Sequence, residues 1–249
     1  MTKKSWGDKL KNWRQKHAEG YAKAILAPPE KTSLYRCIPY PGCVLIMGRR
    51  RFGKSGLAHE IVNQFHNKRG CPAVLHLPHV PEKMRKKVQK LLPNWFKVMT
   101  DYNKWPEGAF VVYDEASQSA HARRSQSEYA VTLDNMIGIS GQRNQTILFI
   151  SHHSRKLDLN IIHELDLIIY KQPTYAHAIW ERDELSDITY KAAEFFKPIK
   201  SELARKKASL LLDFETFEFQ TFNNQLAPWW SDDLSRLFRD IEMMMESKK

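Results

Sequence analysis

From Pro41 onward, short apolar runs alternate with longer stretches in which apolar residues recur every three or four positions. This alternation is typical of βαβ units, so it predicts an α/β fold with a mainly parallel sheet flanked by helices. The predicted strands are residues 43–47, 73–77, 96–99, 110–113, 146–150 and 167–170, and residues 209–222 are predicted to form one or two strands at a sheet edge. The predicted helices are residues 54–67, 82–92, 128–140, 159–164, 184–196 and 202–207, and a last helix that starts at Ser231.

The segment before Pro41 has a different pattern. Its apolar side chains recur at helical spacing, with lysines around them, and they are Trp6, Leu10, Trp13, His17, Tyr21 and Ala24. Such a helix either packs on its own domain or a neighbouring subunit, or contacts nucleic acid directly. The turn residues Tyr40-Pro41-Gly42 follow it. We therefore predict a basic N-terminal helical arm (residues 1–40), a P-loop α/β domain (41–225) and a C-terminal helical segment (226–249).

Composition and charge narrow the class of protein further. Hydrophobic residues make up 42% and charged residues 27% of the 249 positions, close to globular averages, and this excludes collagen-like and low-complexity chains. The three cysteines form no metal-binding framework, and no apolar run is long enough to cross a membrane, so we expect a soluble intracellular protein. An excess of 39 basic over 28 acidic side chains gives a net charge of +11, which favours contact with a polyanion such as nucleic acid.

Residues 48–55 spell GRRRFGKS, which fits the phosphate-loop pattern GxxxxGK[ST] between a predicted strand and a predicted helix. Glycines let the backbone N–H groups turn toward phosphates, and the positive end of the following helix dipole faces the same point. Lys54 would contact the β- and γ-phosphates of ATP, and the Ser55 hydroxyl would hold Mg²⁺. The predicted nucleotide-binding residues are Gly48, Arg49, Arg50, Arg51, Phe52, Gly53, Lys54 and Ser55. The three arginines either bind phosphates or contact a neighbouring subunit.

A second acidic motif follows the predicted strand 110–113, where Asp114 and Glu115 end an apolar run. Carboxylates at the end of a buried strand need a cation or a proton partner, because uncompensated buried charge is costly. This pattern is typical of a Walker B element, in which Asp114 binds Mg²⁺ and Glu115 orients the attacking water. The alternative is a surface turn after a strand. The second acid predicts hydrolysis of the nucleotide by water.

Polar residues at the end of the next predicted strand are candidates for sensing hydrolysis. Ser151 or His152 would contact the γ-phosphate or the water, although paired histidines are also candidate metal ligands. Arg143 precedes this strand, and it either reaches the γ-phosphate of a neighbouring subunit or caps the preceding helix at the surface. Arg155 and Arg182 are further candidates for the arginine that acts across the interface.

These blocks occur in a fixed order along the chain: GRRRFGKS, FVVYDEAS, GQRNQTILFISHH and SRKLDLNIIHELDLIIYKQP. Together they resemble the FtsK/HerA superfamily of P-loop ATPases, in particular its small viral genome-packaging members, over residues 41–175. The resemblance implies a RecA-like fold, a ring of subunits, ATP hydrolysis at subunit interfaces and translocation of double-stranded DNA. The arginine-rich phosphate loop and the DEA triplet are similar to those of large terminase ATPases, which are packaging motors too.

Arg123 and Arg124 are the candidate DNA-binding residues. They lie in the polar stretch 117–127, a region that faces the pore in RecA-like rings, and their phosphate contacts would be independent of sequence. The alternative is a solvated loop. The apolar run in the C-terminal helix either docks a partner such as a capsid vertex protein or covers its own core; it comprises Phe238, Ile241, Met243, Met244 and Met245.

Taken together, the sequence predicts an ATP-hydrolysing homo-oligomeric ring, a hexamer or a pentamer, that uses ATP and Mg²⁺ to move double-stranded DNA. The expected role is packaging of a viral genome, in the host cytoplasm or at the virion vertex. The first alternative is a DNA-dependent regulatory ATPase, of the transposition or helicase-loader type, which recruits a partner without translocating. The second is a small-molecule phosphotransferase, which would need a mobile arginine-rich lid and an acceptor pocket.

Overall fold

The computed structural model describes residues 30–78, 80–114, 135–157 and 159–246, and these form a single sheet of nine strands with helices on both faces. The strands are β1 (Glu30–Lys31), β2 (Gly42–Gly48), β3 (Ala73–His76), β4 (Phe96–Met99), β5 (Phe110–Asp114), β6 (Thr146–Ser151), β7 (Leu167–Lys171), β8 (Ala208–Asp213) and β9 (Phe219–Asn223). The helices are α1 (Leu34–Cys37), α2 (Lys54–Arg69), α3 (Glu82–Leu91), α4 (Leu159–His163), α5 (Tyr175–Ile179), α6 (Asp183–Phe196), α7 (Glu202–Lys207) and α8 (Asp232–Glu246). Residues 135–142 are also helical, and the predicted start of that helix lies outside the described residues.

The sheet has the strand order β1-β9-β8-β7-β2-β6-β5-β3-β4. The run from β7 to β4 is parallel throughout, whereas β8 is antiparallel to both of its neighbours. The six predicted parallel strands are confirmed to within one residue at each end. Residues 209–222, predicted as one or two strands at a sheet edge, form two strands, β8 and β9, which pair as an antiparallel hairpin. Strand β1 extends the sheet by one short strand beyond them. The predicted α/β fold with a mainly parallel sheet is thus confirmed.

Side chains of the central strands alternate between two apolar layers, as the period of a strand requires. On β2, Val44 and Ile46 join the layer that contains α1, α2, α3 and α8. Leu45 and Met47 join the opposite layer, which contains α4, α6 and Met136. Because both faces are covered by helices, β2 and β6 are apolar along nearly their whole length, as buried parallel strands are.

Segments at both ends of the described chain pack on the first of these layers. Leu34 of α1 is buried against α2, and β1 pairs with β9. In α8, Leu234 and Ile241 are buried in the core, so this helix covers its own domain. The predicted division at residue 40 stays a prediction, because residues 1–29 lie outside the described part of the chain. Within that part, no helix has both the length and the apolar character needed to span a bilayer.

Candidate nucleotide site

The carboxyl ends of β2, β5, β6 and β7 meet at one edge of the sheet, because these neighbouring strands are parallel. Ligands of open α/β sheets bind at this edge. The segment that follows β2 is the predicted phosphate loop, β5 ends in Asp114, and β6 ends in Ser151. The topology therefore brings the sequence-predicted phosphate loop, Walker B aspartate and sensor candidates to the same place.

The phosphate loop needs glycine at its first position because of its close approach to β7. Gly48 has φ of 137°, and a Cβ atom there would stand 2.0 Å from the carbonyl oxygen of Lys171. The Arg49 N–H donates to that same carbonyl oxygen at 3.2 Å. Gly53, with φ of 82°, then turns the chain directly into α2. The loop is thus packed against β7 on one side and leads into a helix N-terminus on the other.

Lys54 lies inside the loop, with its side chain almost fully buried. Its ammonium donates to the carbonyl oxygens of Gly48 at 2.9 Å and Arg49 at 3.1 Å. The same Nζ lies 2.9 Å from Nδ1 of His152, which accepts this hydrogen bond when the imidazole is neutral and carries its proton on Nε2. Two residues predicted separately, the phosphate-loop lysine and a sensor candidate, are therefore in direct contact.

Ser55 and Asp114 form the second contact of the site. The Ser55 hydroxyl donates to Oδ2 of Asp114 at 3.2 Å, and Asp114 itself is 9% exposed. A hydroxyl oxygen beside a carboxylate is a donor set suited to Mg²⁺, which completes its octahedral shell with waters and phosphate oxygens. These two side chains thus fit the metal ion that the sequence predicts, and their metal-binding role remains a prediction.

The other sensor candidate, Ser151, is occupied within its own turn. Its hydroxyl donates to the carbonyl oxygen of His153 at 2.8 Å and accepts from the His153 N–H at 3.3 Å. The ring of His153 stacks on that of His177 in α5, with centroids 4.7 Å apart. Burial lowers the pKa of His177 to about 4, and the nearby His153 and Lys54 add to this effect. His177 was not identified from the sequence, although it follows shortly after a strand that ends at the site edge.

Arg143 lies at the other end of the strands. It precedes β6, so about 20 Å of strand separates it from the site in its own subunit. Its guanidinium donates to the carbonyl oxygen of Asn103 at 2.8 Å. Arg155 and Arg182 lie nearer the site. Arg155 donates to the carbonyl oxygen of Glu181 at 3.0 Å, and Arg182 donates to that of Leu157 at 2.8 Å. A role across a subunit interface stays a prediction for all three arginines.

The remaining candidates divide into exposed residues and residues outside the described part. Arg49, Arg50 and Arg51 are exposed, while Phe52 is buried with the Arg49 guanidinium 5.4 Å from its ring centroid. Glu115, Arg123 and Arg124 lie outside the described residues, so their predicted roles stay predictions.

The sheet is mainly parallel, the phosphate loop lies between β2 and α2, and Asp114 ends β5, two strands away from β2. This arrangement is the RecA-like P-loop NTPase fold. One similar solved structure is that of B204, the DNA-packaging ATPase from Sulfolobus turreted icosahedral virus, with a TM-score of 0.52 and 15% identity over 75% of this chain and 100% of that chain. Another is the genome-packaging NTPase B204 from Sulfolobus turreted icosahedral virus 2 in complex with AMPPCP, with a TM-score of 0.50 and 12% identity over 75% of this chain and 98% of that chain. No family model matches the chain, and no similar protein is found among curated proteins. The fold is shared with these packaging enzymes, while the resemblance to the FtsK/HerA superfamily stays a prediction.

Proposed function

We propose that this chain is an ATP-hydrolysing motor whose subunits assemble into a ring, translocate double-stranded DNA and package a viral genome. The observation that carries the proposal is the joint placement of Lys54 inside the phosphate loop and of Ser55 beside Asp114. This arrangement offers a cation to the phosphates and oxygen ligands to Mg²⁺ at the same sheet edge. The fold that the chain shares with genome-packaging NTPases supports packaging as the purpose of hydrolysis.

The contacts of Lys54 suggest how binding starts. Its ammonium donates to two neutral carbonyl oxygens, which are weaker acceptors than the charged oxygens of a phosphate. We expect the ammonium to turn toward the β- and γ-phosphates when ATP binds. That movement lengthens the Lys54–His152 contact, so the end of β6 responds to the state of the nucleotide.

The hydrolysis step is assigned to residues at the ends of β5 and β6. Mg²⁺ held by Ser55 and Asp114 would supply charge neutralisation on the phosphates. Glu115 orients the attacking water, and Ser151 or His152 contacts the water or the γ-phosphate. An arginine of a neighbouring subunit completes the site, with Arg143, Arg155 and Arg182 as the candidates.

The DNA-binding part of the proposal rests on charge. The net charge of +11 favours a polyanion, and sequence-independent phosphate contacts by Arg123 and Arg124 suit a motor that must move along any sequence. Assembly as a hexamer or a pentamer would place these arginines around a pore. A capsid vertex protein is the expected anchor, so the motor would work in the host cytoplasm or at the virion vertex.

The first test is ATP hydrolysis by the purified chain with and without linear double-stranded DNA. Wild type should hydrolyse ATP and be stimulated by DNA, and Lys54→Ala should abolish hydrolysis. Lys68→Ala is the matched control, since Lys68 lies exposed near the other end of α2. Hydrolysis without any response to DNA would overturn the motor and favour a small-molecule phosphotransferase. Absence of hydrolysis under both conditions would overturn the enzyme assignment itself.

A further inference from the structure

Lys171, the last residue of β7, is a fully buried cation directly behind the phosphate loop. Four neutral acceptors lie within hydrogen-bond distance of its ammonium and share its three N–H groups: the carbonyl oxygens of Lys206 at 2.7 Å and Ala208 at 2.7 Å, Oδ1 of Asn224 at 2.7 Å and the hydroxyl of Ser209 at 3.2 Å. No carboxylate is among these partners. Burial of a positive charge among neutral dipoles costs free energy. We therefore expect the charge to serve a function that offsets this cost.

The backbone and the stem of Lys171 both touch the loop. Its carbonyl oxygen accepts the Arg49 N–H and excludes any side chain at Gly48. Its Cε atom lies 3.9 Å from the point where a Cβ on Gly53 would stand, and the carbonyl oxygen of Lys206 lies 3.6 Å from that point. The backbone of Lys171 therefore packs against Gly48, and its side chain reaches Gly53.

The ammonium also hydrogen-bonds to two chain segments beside the loop. One is the end of α7, where it contacts the carbonyl oxygen of Lys206. The other begins at Asn224, whose N–H donates to the carbonyl oxygen of Lys207 at 2.9 Å. This second segment continues to Leu226, which contacts α2 so closely that a Cβ on Gly56 would stand 2.8 Å from its Cδ2 atom. Lys171 thus holds together the structures on either side of the loop.

We propose that Lys171 is a second cation of the nucleotide site, a positioning residue that supports the phosphate loop from behind and whose positive charge favours polyphosphate binding. The proposal rests on the proposed function, because it requires that the loop binds a nucleotide. The phosphates would supply the compensating negative charge that the four neutral partners of the ammonium do not provide. No direct contact with the nucleotide is needed, since the charge acts through the loop.

This role links nucleotide binding to proton uptake. Burial lowers the pKa of Lys171 to about 7, so a large fraction of the free protein carries it neutral in mildly alkaline solution. A bound polyphosphate favours the charged form and raises this pKa again, so Lys171 takes up a proton on binding. The charged residues of the segments that contact it are Arg49, Arg50, Arg51 and Lys54 in the phosphate loop, Glu202, Arg205, Lys206 and Lys207 in α7, and Asp213 in β8, and all of them remain in a Lys171→Met variant.

Titration calorimetry with AMPPCP and Mg²⁺, in two buffers of different ionisation enthalpy, measures the affinity and the number of protons taken up. At about pH 8, wild type should take up roughly half a proton per nucleotide. Lys171→Met should lose that uptake, and at about pH 7 its Kd should be roughly tenfold weaker. Lys207→Met, a lysine exposed at the end of α7, is the matched control and should behave as wild type. A purely structural lysine would not produce proton uptake.

The outcomes separate this proposal from the proposed function. If wild type binds no nucleotide, the proposed function fails and the inference fails with it. If wild type binds AMPPCP without proton uptake at about pH 8, the inference is overturned while the proposed function stands. The measurement on wild type needs no variant, so it tests the role of Lys171 even if Lys171→Met does not fold. Equal affinity and equal uptake in a folded Lys171→Met variant would overturn it as well.

Discussion

His59 on α2 should make the stability of this protein sensitive to acid. Its side chain is 1% exposed, and Nδ1 lies 2.7 Å from the carbonyl oxygen of Ser55, to which it donates when neutral. Four aromatic rings surround the imidazole at centroid distances between 4.8 and 5.8 Å, those of Phe96, Trp229, Trp230 and Phe238. Burial in this apolar setting lowers the pKa of His59 from 6.5 to about 4.

The size of the effect follows from the difference between the two states. Between about pH 6.5 and pH 4 the unfolded chain binds a proton at His59 while the folded chain does not. The free energy of unfolding therefore falls as the pH falls through this window. The contribution of neutral His59 to stability is complete above about pH 6.5 and is lost toward pH 4. A shift of this size corresponds to about 3 kcal/mol, at about 1.4 kcal/mol per pKa unit.

The assay is urea unfolding at about pH 7 and about pH 4, for wild type and His59→Leu. The variant loses the hydrogen bond to Ser55, so it should be about 1 kcal/mol less stable at the higher pH. It should then lose about 3 kcal/mol less than wild type on acidification. His177, whose pKa is also lowered to about 4, is present in both proteins and cancels in the comparison.

Val62→Ala is the control for a general loss of stability. Val62 is buried on the same helix, and its truncation should lower the free energy of unfolding by about 1 to 2 kcal/mol at both pH values. Its acid-dependent loss should match that of wild type. If His59→Leu loses as much stability on acidification as wild type does, the argument from burial is wrong.

Three further predictions concern the nucleotide site. Gly48→Ala should abolish nucleotide binding measured by calorimetry, because the new Cβ would stand 2.0 Å from the carbonyl oxygen of Lys171. Asp114→Ala should reduce Mg²⁺-dependent hydrolysis at least about a hundredfold, while nucleotide binding without Mg²⁺ persists. A mixture of Glu115→Gln and Arg143→Ala subunits, each inactive alone, should recover part of the turnover if Arg143 acts across the interface. The first prediction is contradicted if Gly48→Ala binds nucleotide, and the second if Asp114→Ala hydrolyses ATP as fast as wild type. The third is contradicted if no ratio of the mixed subunits recovers turnover.

Most of the fold could be predicted because most strands of the parallel run are buried on both faces. Apolar runs separated by helical periodicity identify β2 to β7 without reference to tertiary structure, although the edge strand β4 carries the exposed Lys97 within its run. The phosphate loop could be predicted for a similar reason, since its glycines and its lysine are required locally. By contrast, β1 has two residues and pairs with β9 across most of the chain, so no local pattern marks it.

The parts of the site that the sequence did not predict depend on contacts between distant segments. A lysine at the end of a strand is usually exposed, and Lys171 is buried only because α7, β8 and Asn224 close over it. The stacking of His153 on His177 likewise joins the segment after β6 to helix α5. The placement of Arg143 did have a signal in the sequence, because a residue before a parallel strand lies at the edge opposite the carboxyl ends.

The most direct test of the central claim is displacement of a triplex-forming strand from one end of linear double-stranded DNA. In the presence of ATP and Mg²⁺, wild type should displace the third strand, and Lys54→Ala should not. Lys68→Ala, altered on the exposed part of the same helix, should act as wild type does. DNA-stimulated hydrolysis without displacement would contradict translocation and identify the chain as a regulatory ATPase that assembles on DNA.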